Sequence, residues 1–187
     1  AIRDVYKRQL VDRPKGVKLL DTRWIFKTKR NPDGSVQRYK ARLVIRGYLQ
    51  KEGIDFTDTF APVARYESIR LLLCIAASEC MCIGQFDVKT AFLHGDLEED
   101  IYVKIPQGYN CTEQNKCLKL LKSIYGLKQA PRCWNKKFSC FLLKELNLVC
   151  SKYDPSVYIG TVYGEMVYVA IYVDGGLILC KSSDVID

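Results

Sequence analysis

With 187 residues, 48% of them hydrophobic and 27% charged, the chain can build one good core or two small subdomains, and it is neither a disordered nor a fibrous sequence. No apolar run approaches the length of a bilayer span and the first residues lack the apolar core of a signal peptide, so a cytoplasmic protein without a membrane partner is expected. The net charge of +8 is unevenly placed: residues 1–50 carry 14 Lys and Arg against 4 Asp and Glu, and residues 51–187 carry 15 against 17.

Residues 1–9 are set apart from the fold. "DVYKRQ", Asp4 to Gln9, resembles the in-frame translation of a transposase mosaic end used in sequencing adapters, so this segment is expected to be adapter-derived or disordered, with native sequence from about Leu10. From 17 to 50 the residues read as extended around Asn31-Pro32-Asp33-Gly34. Proline fixes φ and glycine accepts a positive one, so a β-hairpin is expected there. This hairpin holds most of the basic excess, which suits a polyanion such as nucleic acid or a nucleoside triphosphate; a solvated face of long basic side chains gives the same count.

"KEGIDFTDTFAPV" breaks the periodicity and reads as a loop. Ile69, Leu72, Leu73, Ile75 and Ala76 then recur at helical spacing. "MCIGQFDVKTAFL" is extended up to Asp87, an acidic loop follows, "IYVKIP" is a short strand, and 107–116 is a loop. A second helix is expected from about Pro131, which is tolerated in a first turn, through Asn147. Strands at "SVYIGTVY" and "MVYVAIYV" surround Gly164, and the second enters a terminal hairpin at "YVDGGLILC". The order is α+β.

Nine cysteines, an odd number without a regular framework, read for the most part as small buried hydrophobes in a reducing compartment. Cys80-x-Cys82 and Cys111 to Cys117 lack zinc-ribbon spacing, and the single histidine, His94, has no paired ligand. A structural zinc site therefore remains the minor alternative.

Two aspartates share one context. "CIGQFDVK" and "VAIYVDGG" each place an Asp after an apolar, strand-like run, and neighbouring strands ending at one sheet edge would bring Asp87 and Asp174 together. A divalent cation relieves the repulsion of two close carboxylates, and magnesium favours a few carboxylates with phosphates and water. Two such ions about 3.5–4 Å apart serve polymerase chemistry. Asp at a strand end is also a common turn or cap residue, so this pairing stays open on the residues alone.

"RYKARLVIRGYLQKEGIDFTDTFAPVARYESIRLLL", "FDVKTAFLHGDLEEDIYVKIPQGY", "KSIYGLKQAPRCW" and "YVDGGLIL" resemble, in order, the reverse transcriptase of copia-type LTR retrotransposons. This is the RNA-dependent DNA polymerase region of a Pol polyprotein, and the similarity runs from about Leu10 to the end. The resemblance implies a right-hand polymerase with fingers mainly in 10–80, palm mainly in 81–187, an antiparallel palm sheet packed on helices, and no thumb or ribonuclease H region. It implies a nucleotidyltransferase that joins deoxynucleoside triphosphates to a primer on an RNA or DNA template with Mg2+, or alternatively Mn2+, and that works inside a virus-like particle in an intact element.

By matching motifs, Asp87 and Asp174 are the catalytic carboxylates, and Asp87, Val88 through its carbonyl, and Asp174 are the metal ligands. Lys40 and Arg42 resemble the fingers residues that hold the triphosphate. Phe92 resembles the bulky gate that excludes a ribose 2′-hydroxyl, with a core Phe as the competing reading. Gly126 and Gln129 resemble the segment under the template base and nucleotide, and an ordinary turn glycine is the other reading of Gly126. Arg38 and Arg46 fall to template backbone or solvent, and His94 carries no catalytic role.

The departure is at 175. The family motif is Tyr-Val-Asp-Asp, and this chain has Tyr172-Val173-Asp174-Gly175. Gly175-Gly176 suits a tight turn, so the fold is expected to survive while the chemistry is impaired. The alternative is a non-catalytic nucleic-acid-binding remnant of a decayed element.

Overall fold

A computed structural model describes residues 8–109 and 115–186. Among these the chain order is β1 (Arg8–Asp12), β2 (Thr22–Arg30), β3 (Val36–Ile45), α1 (Tyr66–Ser78), β4 (Cys82–Asp87), β5 (Tyr102–Val103), β6 (Lys116–Leu120), α2 (Ala130–Lys144), β7 (Val149–Cys150), β8 (Val157–Val162), β9 (Glu165–Tyr172) and β10 (Gly175–Cys180). The class is mixed α+β with antiparallel sheets, as read from the sequence. Of the segment set apart at the start, residues 1–7 lie outside the described residues, while Arg8 and Gln9 open β1. Residues 110–114, within the expected 107–116 loop, lie outside them too.

The chain divides into two units, Ala1–Thr59 with Phe92–Ala130, and Phe60–Ala91 with Pro131–Asp187. The division is discontinuous in sequence. In the first unit the Asn31–Gly34 turn closes β2 on β3: Gly34, at φ 85°, donates to the Asn31 carbonyl, and Asn31 donates to Ser35. The β2–β3 hairpin forms its own two-stranded sheet, and β1-β6-β5 form a three-stranded one. Strands β1 and β6 are not foreseen by the pattern reading: each has five residues, too few for alternation to stand out, and their register joins Leu10 to Leu118 across more than 100 residues. Leu20, Ile45, Ile101, Val103, Leu118, Leu120 and Ile124 make the core.

In the second unit five antiparallel strands run in the order β4-β10-β9-β8-β7. Alternation along β9 divides it between two cores: Ala170 packs with α1 residues Leu72 and Ala76, and Val167, Val169 and Ile171 pack with α2 residue Leu142. The helices thus cover opposite faces. Leu73, expected on the apolar face of α1, is 38% exposed, because the buried stripe runs through Leu72 and Ala76 with Ile69 and Ile75 at its margin.

The first turn of α1 has no local side-chain cap; its N-cap residue, Arg65, is extended. Asp154 supplies the cap from 89 residues away, accepting the Arg65 N–H at 2.9 Å and the Ser156 N–H at 3.0 Å while bonded also to the Ser68 hydroxyl. Burial alone would raise the Asp154 pKa, but these bonds and the Arg65 charge outweigh it and hold the carboxyl below its usual range.

The cysteine expectation is corrected in part. Of the eight described, all free thiols, Cys117, Cys133 and Cys180 are buried, whereas Cys74 on α1, Cys82 on the edge strand β4 and Cys80 in the turn between them are exposed.

Candidate functional site

The β9–β10 turn is Val173 and Asp174. In the β4–β10 ladder Gly175 stands opposite Asp87, the last residue of β4, and the next residue, Val88, donates its N–H to the Asp174 carbonyl at 2.9 Å. Because 88 and 174 form a hydrogen-bonded pair, 87 and 175 form the closer, non-hydrogen-bonded kind, with Cα atoms about 4.5 Å apart and side-chain positions on one face. The ends of β4 and β9 therefore bring Asp87, Val88 and Asp174 to one edge of the sheet, Asp87 exposed and Asp174 half-buried.

That turn is held from two sides. Val173 has φ 58°, a costly conformation for a β-branched residue, on the order of 1–3 kcal/mol. The Trp134 indole N–H, on α2, donates to the Val173 carbonyl at 3.1 Å, and the Val88 N–H secures Asp174. Trp134 is buried and stacks on Phe138, with centroids 5.2 Å apart and planes at 13°. The strained tip is thus anchored to a helix and to the neighbouring strand. Sequence reading missed Trp134, although a buried Trp normally finds a partner for its N–H.

Gly175 is tightly enclosed. A Cβ on it would lie 2.5 Å from the Phe86 carbonyl oxygen, and one on Gly176 would lie 2.2 Å from the Ala170 carbonyl oxygen. Among the described residues no group of three or more His, Cys, Asp or Glu could hold a metal ion. The donors present are two carboxylates and the Val88 carbonyl, which accepts the Ala91 N–H at 3.2 Å and retains a second lone pair. Such a set fits a hard cation that takes its other ligands from phosphates and water, and Gly175, opposite Asp87 in the ladder, adds no side-chain donor to it.

In the first unit the β2–β3 hairpin has two unlike faces. Register pairs Lys29 with Arg38, Lys27 with Lys40, Ile25 with Arg42 and Arg23 with Val44, so six cations share one face. The other face carries Trp24, Phe26 and Tyr39. Trp24 and Phe26 stack at 6.1 Å and 18°, while Phe26 and Tyr39 are 75% and 80% exposed. A groove of about 620 Å³ lined by Arg23, Trp24, Phe26, Arg46 and Gln107 lies beside them, and the Trp24 indole donates to the Gln107 carbonyl at 3.0 Å.

The sequence-derived Lys40 and Arg42 belong to the cationic face. Phe92 packs on the core of this unit and edge-to-face on Tyr125, with centroids 5.0 Å apart. Gly126, at φ 95°, needs to be glycine: a Cβ would fall 2.1 Å from the Ile45 carbonyl oxygen. Gln129 is 1% exposed, with its amide spent inside the unit. It donates to the Asp55 carbonyl at 2.9 Å and to Glu99 at 3.3 Å, and accepts from Gln50 at 3.0 Å. Sequence reading did not single out Tyr125, whose ring also lies under the Arg42 guanidinium.

Residues 4–187 match the family profile described as reverse transcriptase (RNA-dependent DNA polymerase). The chain belongs to the reverse transcriptases of copia-type LTR retrotransposons. It is 45% identical over 180 residues to the retrovirus-related Pol polyprotein from transposon TNT 1-94 of Nicotiana tabacum, covering 95% of this chain and 14% of that protein. It is 43% identical over 166 residues to the corresponding polyprotein from transposon RE1 of Arabidopsis thaliana, covering 88% and 11%. The truncated transposon Ty1-A Gag-Pol polyprotein of Saccharomyces cerevisiae is 30% identical over 143 residues, covering 76% and 11%. No solved structure matches the chain significantly. This reverse transcriptase domain thus spans about a seventh or less of the length of these relatives, and none of its described helices is long and apolar enough to cross a membrane.

Proposed function

We propose that this chain is a fingers-and-palm piece of a reverse transcriptase whose template-directed DNA polymerase chemistry is impaired by Gly175. In this reading Asp87, Asp174 and the Val88 carbonyl hold divalent metal, Mg2+ or Mn2+, at the palm edge. Bound ions would supply the charge that activates a primer hydroxyl and stabilises a departing pyrophosphate. The chain's own contribution there is to fix Asp174 on a turn pinned by Val88 and Trp134. Lys40 and Arg42 grip the triphosphate of a deoxynucleotide, Arg through its fork of donors and Lys as a compact charge. Phe92 meets the sugar, and Gly126 lets backbone approach closely. The rest of the cationic face, with the aromatic face behind it, receives template and primer strands. In an intact element this work belongs to the cytoplasm, inside a virus-like particle.

The observation that carries the reading is the register: Asp87 lies beside the Asp174 turn, and the residue directly across from Asp87 is glycine. A carboxylate at 175 would add its charge on that face, and its loss leaves two ions with too few ligands.

The test is primer extension by the domain within an otherwise complete polymerase, with Gly175 and with Gly175→Asp, melting both to establish folding. Little or no extension with Gly175 and recovery with Asp is expected. Equal, robust extension by both would sink the impairment. The second reading, a binding remnant without chemistry, is favoured by Gly175 and by the exposed cationic hairpin. Salt-dependent binding of primer–template without nucleotide incorporation supports it, and incorporation rejects it.

A further inference from the structure

Residues 123–126 hold Phe92 and the end of β3 at the same time. The Ser123 hydroxyl donates to the Phe92 carbonyl. The Tyr125 carbonyl accepts the Ile45 N–H at 2.9 Å, and Gly126 presses on the Ile45 main chain where no side chain fits. Between these backbone anchors the half-buried Tyr125 ring takes the edge contact of Phe92 at 5.0 Å and 60°, and the Arg42 guanidinium lies 5.1 Å from its centroid.

An arginine on a strand of a bare hairpin has many rotamers. A planar guanidinium against a ring keeps few of them, and it leaves its N–H edges turned outward for an anion. The ring that restrains Arg42 is also the wall against which Phe92 rests. Movement of the ring therefore displaces both groups, and either group sets the position of the ring for the other.

We propose that Tyr125 is a positioning residue that couples Arg42 to Phe92, making triphosphate affinity and the preference for deoxyribose over ribose interdependent. The proposal rests on the reading that Arg42 and Phe92 meet a nucleoside triphosphate. Mere packing by Tyr125 would affect stability alone.

The experiment is equilibrium binding of dCTP and of CTP, with Mg2+ and a primer–template, to the unaltered chain, Tyr125→Leu, Tyr125→Phe, Arg42→Ala and the Arg42→Ala, Tyr125→Leu pair. Tyr125→Leu should weaken dCTP about three- to ten-fold and lower the dCTP-to-CTP preference, while Tyr125→Phe, which keeps the ring, should retain both. The double variant should bind dCTP no worse than Arg42→Ala alone. Arg42→Ala, at a half-buried position that does not depend on Tyr125→Leu folding, should itself lower the sugar preference. Unchanged preference in Arg42→Ala, or additive losses in the double variant, overturns the coupling while leaving the polymerase reading in place. Failure of the unaltered chain to bind either triphosphate overturns both.

Discussion

Gly175 faces Asp87 across the β4–β10 ladder so closely that a Cβ on Gly175 would stand 2.5 Å from the neighbouring Phe86 carbonyl oxygen. A side chain at position 175 therefore requires the backbone around it to move. Gly175→Ala is expected to destabilise the second unit by about 1–3 kcal/mol, because backbone must part to admit a methyl group. Urea unfolding measures this, and a stability equal to that of the glycine chain would show that the ladder opens at no cost.

Trp134 reaches the same turn through its indole N–H. Trp134→Phe keeps an aromatic ring beside Phe138 but removes the donor to the Val173 carbonyl. A loss of about 1–3 kcal/mol is expected, together with faster amide exchange at Val173 and Asp174. Unchanged exchange there would mean that the Val88 bond alone holds the tip.

Asp154 is a long-range helix cap with a pH signature. Its folded pKa lies below its unfolded value, so its stabilisation is complete above the unfolded pKa, about 3.9, and is lost as pH falls through the folded one. Asp154→Asn should cost about 1–3 kcal/mol at neutral pH. The difference in stability between the two chains should narrow toward pH 2, and denaturant titrations at several pH values check it. A constant difference would assign the effect to shape rather than charge.

The two faces of the β2–β3 hairpin should separate in nucleic-acid binding. Replacing Lys27, Lys29 and Arg38 by Gln should weaken primer–template binding and make its salt dependence shallower, by about 0.9 in log–log slope for each duplex phosphate that the protein no longer neutralises. Phe26→Ala with Tyr39→Ala should weaken single-strand binding and leave that slope unchanged. Equal slopes for all three proteins would remove the cationic face from the interface.

Much of the local structure was legible from residue order. Asn31-Pro32-Asp33-Gly34 specifies its turn through two residues with restricted or permissive φ, Ile69 to Ala76 repeat at helical spacing, and Asp87 and Asp174 each follow an apolar strand run. The motifs alone identified the family. Each of these signals lies within a short window, where dihedral preference and periodicity act.

What the tertiary structure decided joins residues far apart in the chain. It set Gly175 opposite Asp87, put the Asp154 carboxylate at the first turn of α1, brought Trp134 to the Val173 carbonyl, and laid Tyr125 between Arg42 and Phe92. It also buried the Gln129 amide in internal hydrogen bonds and left Leu73 outside the core. No local preference encodes such pairings. They follow from strand register and from which face of each element is buried, and those are settled only when whole sheets and helices pack.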